Sequence, residues 1–202
     1  MPAGRNFTSA ARALSLRDED LCNRVIADDE EVDRLEKQID AEGVSILTRF
    51  TPLAHDFRRV FSTLKAATDL ERVSDQAVGI ARRAKKLVNE VHLPETHLLE
   101  PLFAMALALL NDSVRALSEE DTVLAGELKG RDRELDKLQH EIIEKITRRM
   151  EDDPVNAQHY LALVFIARFI ERVGDHAVNL GEESVYSGTA KDIRHPAKTA
   201  VV

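Results

Sequence analysis

One short stretch occurs twice in the sequence, and this repeat constrains the fold more than any other feature. It reads Glu-Arg-Val-Ser-Asp at residues 71–75 and Glu-Arg-Val-Gly-Asp at residues 171–175. On a helix, residues four apart lie on one face, about one turn from each other. The Glu and the Asp of each copy occupy a stripe that is otherwise apolar, where two carboxylates are costly unless something pairs with them. A shared cation is the simplest partner.

A second block repeats in the same order. Residues 13–39 match residues 116–142 at a constant offset of 103, whereas the two Glu-Arg-Val copies lie 100 residues apart. Two collinear matches indicate an internal repeat. The 202 residues include only 8 Gly and 6 Pro and no Trp, which favours helices over strands. We therefore predict an all-α fold of two tandem three-helix bundles, with Glu71 and Asp75 equivalent to Glu171 and Asp175.

Capping and helix-breaking residues set the predicted boundaries. The first bundle is expected over residues 1–92, the second over 93–187, and a disordered tail over 188–202. The expected helices, with Gly130 as the stop of the fourth, span residues 9–27, 28–48, 51–91, 95–128, 132–151 and 153–186.

The first helix is short relative to its repeat mate. The offset of the repeat places the counterpart of the fourth helix's beginning before Met1. Either the given sequence begins late, or one end of the first bundle is open. An open end is expected to expose apolar surface and to favour a homodimer or another protein partner. The expected core includes the leucines and five phenylalanines, namely Phe57, Phe61, Phe103, Phe165 and Phe169.

The second helix of each half adds another pair of carboxylates with the same spacing. Adjacent helices pack about 8–10 Å apart, so facing pairs would place four carboxylates around one or more cations. The predicted metal ligands are Asp29, Asp33, Glu71, Asp75, Asp132, Asp136, Glu171 and Asp175. His140 and Asn179 lie one turn beyond acids of the second half and are further candidate ligands, which favours tighter binding there. The ion's identity stays open among iron, manganese, magnesium, calcium and zinc.

Two other interpretations of these acids remain open. Asp29 and Asp33 lie where the second helix is expected to begin, a position that favours acids without any metal. All the acids have basic neighbours in the sequence that would make salt bridges, namely Arg34, Arg72, Lys137 and Arg172. The protein would then be a plain helical scaffold.

Composition restricts the class of protein. A net charge of −8 with no basic block argues against nucleic-acid binding. Cys22 is the only cysteine, so a disulfide framework is excluded and a reducing, cytoplasmic location is expected. The apolar runs are far shorter than the roughly 20 residues of a membrane span. No nucleophile, phosphate loop or catalytic base accompanies the acids, so we expect no enzyme activity, with a metal-dependent hydrolase or oxidase as the alternative.

At these residues the chain resembles the PhoU family, the accessory regulators of bacterial phosphate uptake. The resemblance covers both Glu-Arg-Val copies, both Asp pairs and the stretch Pro-Leu-Ala-His-Asp-Phe-Arg at 52–58, with Ser74 and Gly79 as departures from the family's Gly and Asn. It implies paired three-helix bundles, often dimeric, with motifs that hold metal clusters.

The resemblance also implies a role. Family members repress the phosphate-starvation response through contact with a sensor kinase and with the ATP-binding subunit of the phosphate importer. PhoU-like domains also accompany sodium–phosphate transporters, which is an alternative setting for this chain.

Overall fold

The computed structural model describes residues 1–194, which form six α-helices and two short 3₁₀ segments without any strand in that range. The all-α prediction of two tandem three-helix units is confirmed. The helices are α1 Pro2–Leu16, α2 Glu19–Phe50, α3 Ala54–Glu90, α4 Glu100–Glu119, α5 Thr122–Asp152 and α6 Ala157–Thr189. The 3₁₀ segments are Pro94–Leu99, before α4, and Pro154–Asn156, before α6.

The connection between the first and second helices of each half lies earlier in the sequence than predicted. Arg17 and Glu120 both adopt the left-handed conformation, with φ of 54°, and each ends a helix. The aspartates that follow begin the next helices: Asp18 accepts a hydrogen bond from the Leu21 amide, and Asp121 accepts from the Val123 and Leu124 amides. Such capping satisfies amides that a helix start leaves unpaired. The predicted breaks at residues 27–28 and 128–132 are therefore wrong.

Gly130 is not a helix stop. It lies inside α5, and a side chain at this position would meet open space. Because a glycine ends a helix only where the backbone turns, the capped turn at Asp121 decides the boundary instead. At the end of the second half, α6 continues to Thr189, beyond the predicted end at Tyr186. Residues 195–202 of the predicted tail lie outside the described residues.

The two halves share one core. A single cluster of buried apolar side chains draws on all six helices, and the most extensive helix contacts are made between α3 and α6. A less extensive contact joins α1 to α4. The two Glu-Arg-Val stretches therefore lie on the central helices, with α2 and α5 packed against them on the outside.

The first bundle has the open end that the sequence predicts. Helix α1 has 15 residues and α4 has 20, and α4 is preceded by the 3₁₀ segment with its buried Leu99. Nothing in residues 1–194 covers the equivalent end of α2 and α3 in this way. A groove of about 400 Å³ remains there, lined by residues that include Ile39, Gly43, Val60 and Leu64.

Three of the five phenylalanines assigned to the core are partly exposed. Phe57 is 43% exposed, Phe61 36% and Phe165 39%, whereas Phe103 is buried. Phe57 and Phe61 stack on each other at the open end, with ring centroids 6.1 Å apart. The prediction for Phe57 and Phe61 is wrong because this face of the inner helix is exposed in both halves: Leu161, the equivalent of Phe61 in α6, is also 46% exposed.

Candidate metal centre

All eight predicted carboxylates lie on the faces where the outer helix of each half meets the central one. Helix α2 carries Asp29 and Asp33 opposite the acids of α3, and α5 carries Asp132 and Asp136 opposite those of α6. We call these groups the first cluster (Asp29, Asp33, Glu71, Asp75) and the second cluster (Asp132, Asp136, Glu171, Asp175). Asp29 and Asp33 lie well inside α2, which begins at Glu19, so their interpretation as helix-start residues is wrong.

Simultaneous ionisation of the four acids in the second cluster is unfavourable. Burial raises the pKa of Asp132 to about 7, with repulsion from Asp136, Asp175 and Glu171 as the further causes. Burial also raises the pKa of Glu171, helped by Asp175 and Asp136. The pKa of Asp175 is raised by burial and by Asp136. Two helices thus bring negative charge into one place, and nearby basic groups such as Lys129 and Arg172 oppose the rise in pKa only in part.

The first cluster shows the same effect with more compensation. Burial raises the pKa of Asp29, a hydrogen bond from Ser74 opposes this rise, and Asp33 and Asp75 add to it. The pKa of Glu71 is raised by burial and then by Asp75. The hydroxyl of Ser74 is thus a compensating group in the first half, where the second half has Gly174.

The salt-bridge interpretation is confirmed for Arg72. Its Nε lies 3.4 Å from Glu71 Oε2, and its Nη1 donates to Asp75 Oδ2 at 3.2 Å. The Arg72 side chain is more than half exposed, so this pairing is weak. In the second half, Arg168 and Arg172 lower the pKa of Glu171 through their charge, against the larger effect of burial.

One oxygen in each cluster is buried without a partner. Oδ1 of Asp29 and Oδ1 of Asp132 make no hydrogen bond, and the two residues occupy equivalent positions in the repeat. Unpaired buried carboxylate oxygens are costly, and oxygen-only sets suit hard cations, so these residues fit a metal ion. Within residues 1–194, however, no three His, Cys, Asp or Glu side chains converge into a ready-made site.

The two further candidate ligands point elsewhere. His140 Nε2 lies 3.5 Å from Glu144 Oε1, one turn along α5, and its side chain is 77% exposed. Asn179 donates through Nδ2 to Asp69 Oδ1 of α3 at 3.0 Å. Neither side chain is directed to the second cluster in this arrangement, so the reason first offered for tighter binding there has no support.

Asp69 is a residue that sequence reasoning missed. Its Oδ1 accepts from Asn179 and also lies 2.8 Å from His176 Nδ1, so it joins α3 of the first half to α6 of the second. The equivalent contact on the other side of the repeat is Phe169 against Gly79, where a Cβ would lie 2.9 Å from the ring. The repeat could have revealed this contact. Positions 69 and 79 are Asp and Gly in the first half, whereas the equivalent positions 169 and 179 are Phe and Asn.

Buried Glu183 is a second missed residue. Its carboxylate accepts from Ser62 Oγ at 3.0 Å and from Lys65 Nζ at 2.8 Å, both on α3. At the start of α3, His55 Nε2 lies 3.2 Å from Glu120 Oε2 and Arg59 Nε lies 3.1 Å from Glu120 Oε1, at the turn before α5. These ionic contacts hold the halves together beside the shared apolar core.

No helix within residues 1–194 is long and apolar enough to cross a bilayer.

These features define a class: a helical repeat protein of two fused three-helix bundles, each with a carboxylate cluster between its outer and central helices. Comparison with known families specifies it further. The chain belongs to the PhoU family, because the model described as "PhoU domain" matches it twice, at residues 3–84 and 99–184. The two matches correspond to the two halves.

Individual relatives agree over nearly the whole chain. It is 30% identical to the phosphate-specific transport system accessory protein PhoU homolog 1 of Thermotoga maritima, over 94% of this chain and 82% of that protein. A PhoU homolog of Pseudomonas putida is 31% identical, over 95% of this chain and 75% of that protein. The crystal structure of PhoU from Pseudomonas aeruginosa superposes with a TM-score of 0.90 at 28% identity, covering 94% of this chain and 91% of that one.

Proposed function

We propose that this protein is an accessory regulator of phosphate uptake that acts by contact with other proteins and not by catalysis. The observation that carries the proposal is the match of both halves to accessory proteins of the phosphate-specific transport system.

Each bundle is proposed to hold metal ions between its outer and central helices. Asp29, Asp33, Glu71 and Asp75 would hold the ion of the first bundle, and the equivalent acids would hold that of the second. The support is the unpaired buried oxygen of Asp29 and of Asp132, together with the raised pKa values of the acids around them. A bound ion supplies the positive charge that offsets this repulsion. The carboxylates would have to move closer together, which is within the reach of rotamer changes for Asp and Glu side chains.

The proposed partners are the sensor kinase of the phosphate response and the ATP-binding subunit of the phosphate importer, through which the protein would repress the starvation response. The test is capture of the tagged protein from phosphate-replete cells, followed by identification of the co-purified subunits. Recovery of both supports the proposal. Recovery of a sodium–phosphate transporter instead would replace this setting by the alternative one.

The open end of the first bundle is the proposed surface for self-association into a homodimer. Beside the stacked rings of Phe57 and Phe61, the tip of the α2–α3 hairpin exposes Phe50 and Leu53. Several exposed apolar side chains at one end of a bundle mark protein contacts more often than single exposed residues do. Light scattering over a range of protein concentrations tests this part of the proposal.

The competing hypothesis is a metal-dependent hydrolase. It predicts release of phosphate from a generic phosphomonoester by protein loaded with Mn²⁺ or Fe³⁺, and loss of that activity in a Glu171→Ala/Asp175→Ala variant. The regulator proposal predicts no turnover above the variant's background. Activity that depends on these acids would overturn the non-enzymatic assignment.

A further inference from the structure

The contact between α3 and α6 has two ends that the repeat relates to each other. The helices are antiparallel, so a residue pair at one end has its counterpart at the other end, at an offset of 100 residues. At one end Lys65 of α3 lies beside Glu183 of α6. At the other end the equivalent positions are Phe165 of α6 and Arg83 of α3. The same place in the fold therefore holds an acid in one half and a base in the other.

The end with the acid is balanced by cations of the chain itself. Buried Glu183 accepts from Ser62 Oγ at 3.0 Å and from Lys65 Nζ at 2.8 Å. The Lys65 ammonium also lies over the Phe61 ring, 4.7 Å from its centroid. Arg194, which follows α6, places Nη1 3.6 Å from Glu183 Oε1. The charge of this carboxylate is thus compensated within the protein.

The end with the base has no such compensation. The guanidinium carbon of Arg83 lies 4.8 Å from the ring centroid of Phe165 and 4.6 Å from that of Phe169. The hydrogen bond that Arg83 makes within residues 1–194 runs from Nη1 to the Gly79 carbonyl at 3.3 Å, on its own helix. No salt bridge joins Arg83 to an acid in that range. The Phe165 ring stands where the repeat would have placed the oppositely charged partner.

The acid that follows Arg83 on the same helix is already engaged. Glu90, two turns further along α3, lies with Oε2 2.9 Å from His159 Nε2 of α6. Arg83 is partly buried, and burial lowers its pKa because the loss of water disfavours the charged guanidinium. A partly desolvated cation without a carboxylate is an electrostatic cost that an anion from outside the chain would offset.

The aromatic rings leave the donors of Arg83 available. A guanidinium interacts with an aromatic ring through its face, whereas its five N–H groups point outward in its plane. Two of these N–H groups match the two oxygens of a carboxylate or of a phosphate. The rings thus hold the planar group in place without using the donors that would bind an anion.

The surroundings of Arg83 favour an anion that is attached to apolar groups. Phe165 is 39% exposed and Leu161, one turn earlier on α6, is 46% exposed. Lys86, nearly one turn beyond Arg83, is exposed and makes no salt bridge within residues 1–194. A free inorganic anion would leave the exposed ring and leucine in water, whereas an acidic side chain with an apolar neighbour would use both.

We propose that Arg83, Phe165 and Phe169 form a docking point for an Asp or Glu side chain of a partner protein, with Leu161 in contact with an apolar neighbour of that acid. The partner's carboxylate would complete at this end the ion pair that Lys65 and Glu183 complete at the other. The inference rests on the proposed function, in which the protein acts by contact with other proteins, and it specifies a surface for that contact.

The first test measures the site with a defined probe, 4-methylpentanoate, which carries a carboxylate and an isobutyl group. In protein labelled with ¹⁵N-arginine, the Nε–H signal of Arg83 is assigned as the one missing from Arg83→Gln. It is expected to shift with the probe and not with the corresponding amide. A shift no larger than that of the Arg133 signal would overturn the proposal. Equal or tighter binding of inorganic phosphate would also overturn it, in favour of a site for the free anion.

The second test measures binding to the proposed partners, the purified ATP-binding subunit of the importer and the sensor kinase in detergent. Arg83→Gln is expected to raise the dissociation constant of at least one of them roughly tenfold or more, the ratio that a hydrogen-bonded ion pair corresponds to. Wild-type binding that Arg83→Gln leaves unchanged for both subunits would overturn the inference.

Arg133→Gln is the matched control. Arg133 is exposed on α5, makes no salt bridge within residues 1–194 and donates to the Lys129 carbonyl one turn earlier, as Arg83 does to Gly79, but it has no aromatic ring beside it. The same change of charge there is expected to leave both dissociation constants unchanged. If Arg83→Gln is unfolded by circular dichroism, Arg83→Lys decides the question, because it keeps the charge and loses the paired donors; affinities equal to the wild type would overturn the inference.

Light scattering distinguishes a different partner from a second copy of this chain. Arg83→Gln is expected to have the same mass as the wild type at every concentration. If the variant dissociates a wild-type oligomer, the occupant is a second copy, and the proposal of a different partner is overturned.

The outcomes separate this inference from the function it rests on. Binding of the subunits that is insensitive to Arg83 leaves the proposed function intact and removes this surface from it. Absence of binding to both subunits by the wild type overturns the proposed partners and the protein occupant together, while the probe still decides whether Arg83 binds a carboxylate.

Discussion

At the scale of single residues, Asp132 is the most perturbed acid of the clusters. Its pKa of about 7 means that the folded protein keeps a proton there between about pH 4 and pH 7, where the unfolded chain has lost it. The folded state thus binds more protons than the unfolded state over this window. The contribution of Asp132 to the stability of the metal-free protein must therefore fall as the pH rises from 4 through 7.

We accordingly expect the Asp132→Asn variant to lose less stability than the wild type when metal-free protein is taken from pH 5 to pH 8. An amide has no charge to desolvate, so the rising cost of ionisation is removed. Thermal unfolding in the presence of a chelator measures the difference. Asp29→Asn serves as the comparison, because Ser74 already opposes the rise in the Asp29 pKa and its effect should be smaller. Parallel pH profiles for wild type and Asp132→Asn would contradict this expectation.

The central acids of the two clusters should also differ in the metal they retain. Arg72 pairs with Glu71 and Asp75 and would compete with a cation for them. We expect Glu171→Ala/Asp175→Ala to remove more bound metal than Glu71→Ala/Asp75→Ala, as measured by elemental analysis after gentle purification. Equal losses from the two double variants would show that the sites are equivalent.

At the scale of helices, the contact between α3 and α6 explains why residue 79 is Gly. From the sequence alone, this departure from the family's Asn suggested a weaker metal site in the first half. Gly79 has no side chain because the ring of Phe169 occupies that space, and Phe169 also packs against the Arg83 guanidinium, whose carbon lies 4.6 Å from the ring centroid. Across the repeat, Asn179 pairs with Asp69 instead. Positions 79 and 179 therefore serve the junction between the halves.

Gly79→Asn, which copies the second half into the first, is expected to destabilise the protein by about 1–3 kcal/mol because the Phe169 ring must move. Gly130→Ala is the control: it lies inside α5 with open space around it, and it should stabilise by about 0.5–1 kcal/mol through helix propensity. Denaturant unfolding of both variants measures the free energies. A Gly79→Asn protein as stable as the wild type would mean that the ring is free to move at no cost.

At the scale of the whole molecule, the two bundles end differently, and we expect this difference to control association. The 3₁₀ segment and the longer α4 bury Leu99 and Leu102 at the end of the second bundle. The first bundle ends in an open hairpin tip with partly exposed Phe57 and Phe61. Two copies of the same unit thus give one end that is covered and one end that exposes apolar side chains within residues 1–194.

Phe57→Asp/Phe61→Asp is expected to abolish self-association without loss of helix content, because both rings are already partly exposed. Light scattering should then give a mass near 22.6 kDa, with the wild type heavier at high concentration. Val155→Asp, at a position of the second half that is 90% exposed, is the control and should leave association unchanged. A wild-type mass near 22.6 kDa at every concentration would overturn the dimer.

The fold class, the repeat and the helix face that carries the acids were all predictable from local sequence patterns. Helical periodicity and the spacing of Glu71, Asp75 and their mates depend only on residues one turn apart, so they are readable from a single chain. The family resemblance rested on the same local patterns, and the matches to both halves confirm it.

The positions of the helix breaks and the contacts of individual side chains depend on tertiary packing and could not be predicted in this way. The turns at Arg17 and Glu120 depend on caps that outweigh the glycine and the acid pair on which the sequence prediction relied. The Asn6–Ser74 hydrogen bond, the pairing of Asn179 with Asp69 and the exposure of Phe57 each depend on whether another helix lies beside the residue. Such contacts join residues far apart in the chain, and helical spacing fixes only neighbours within a turn or two.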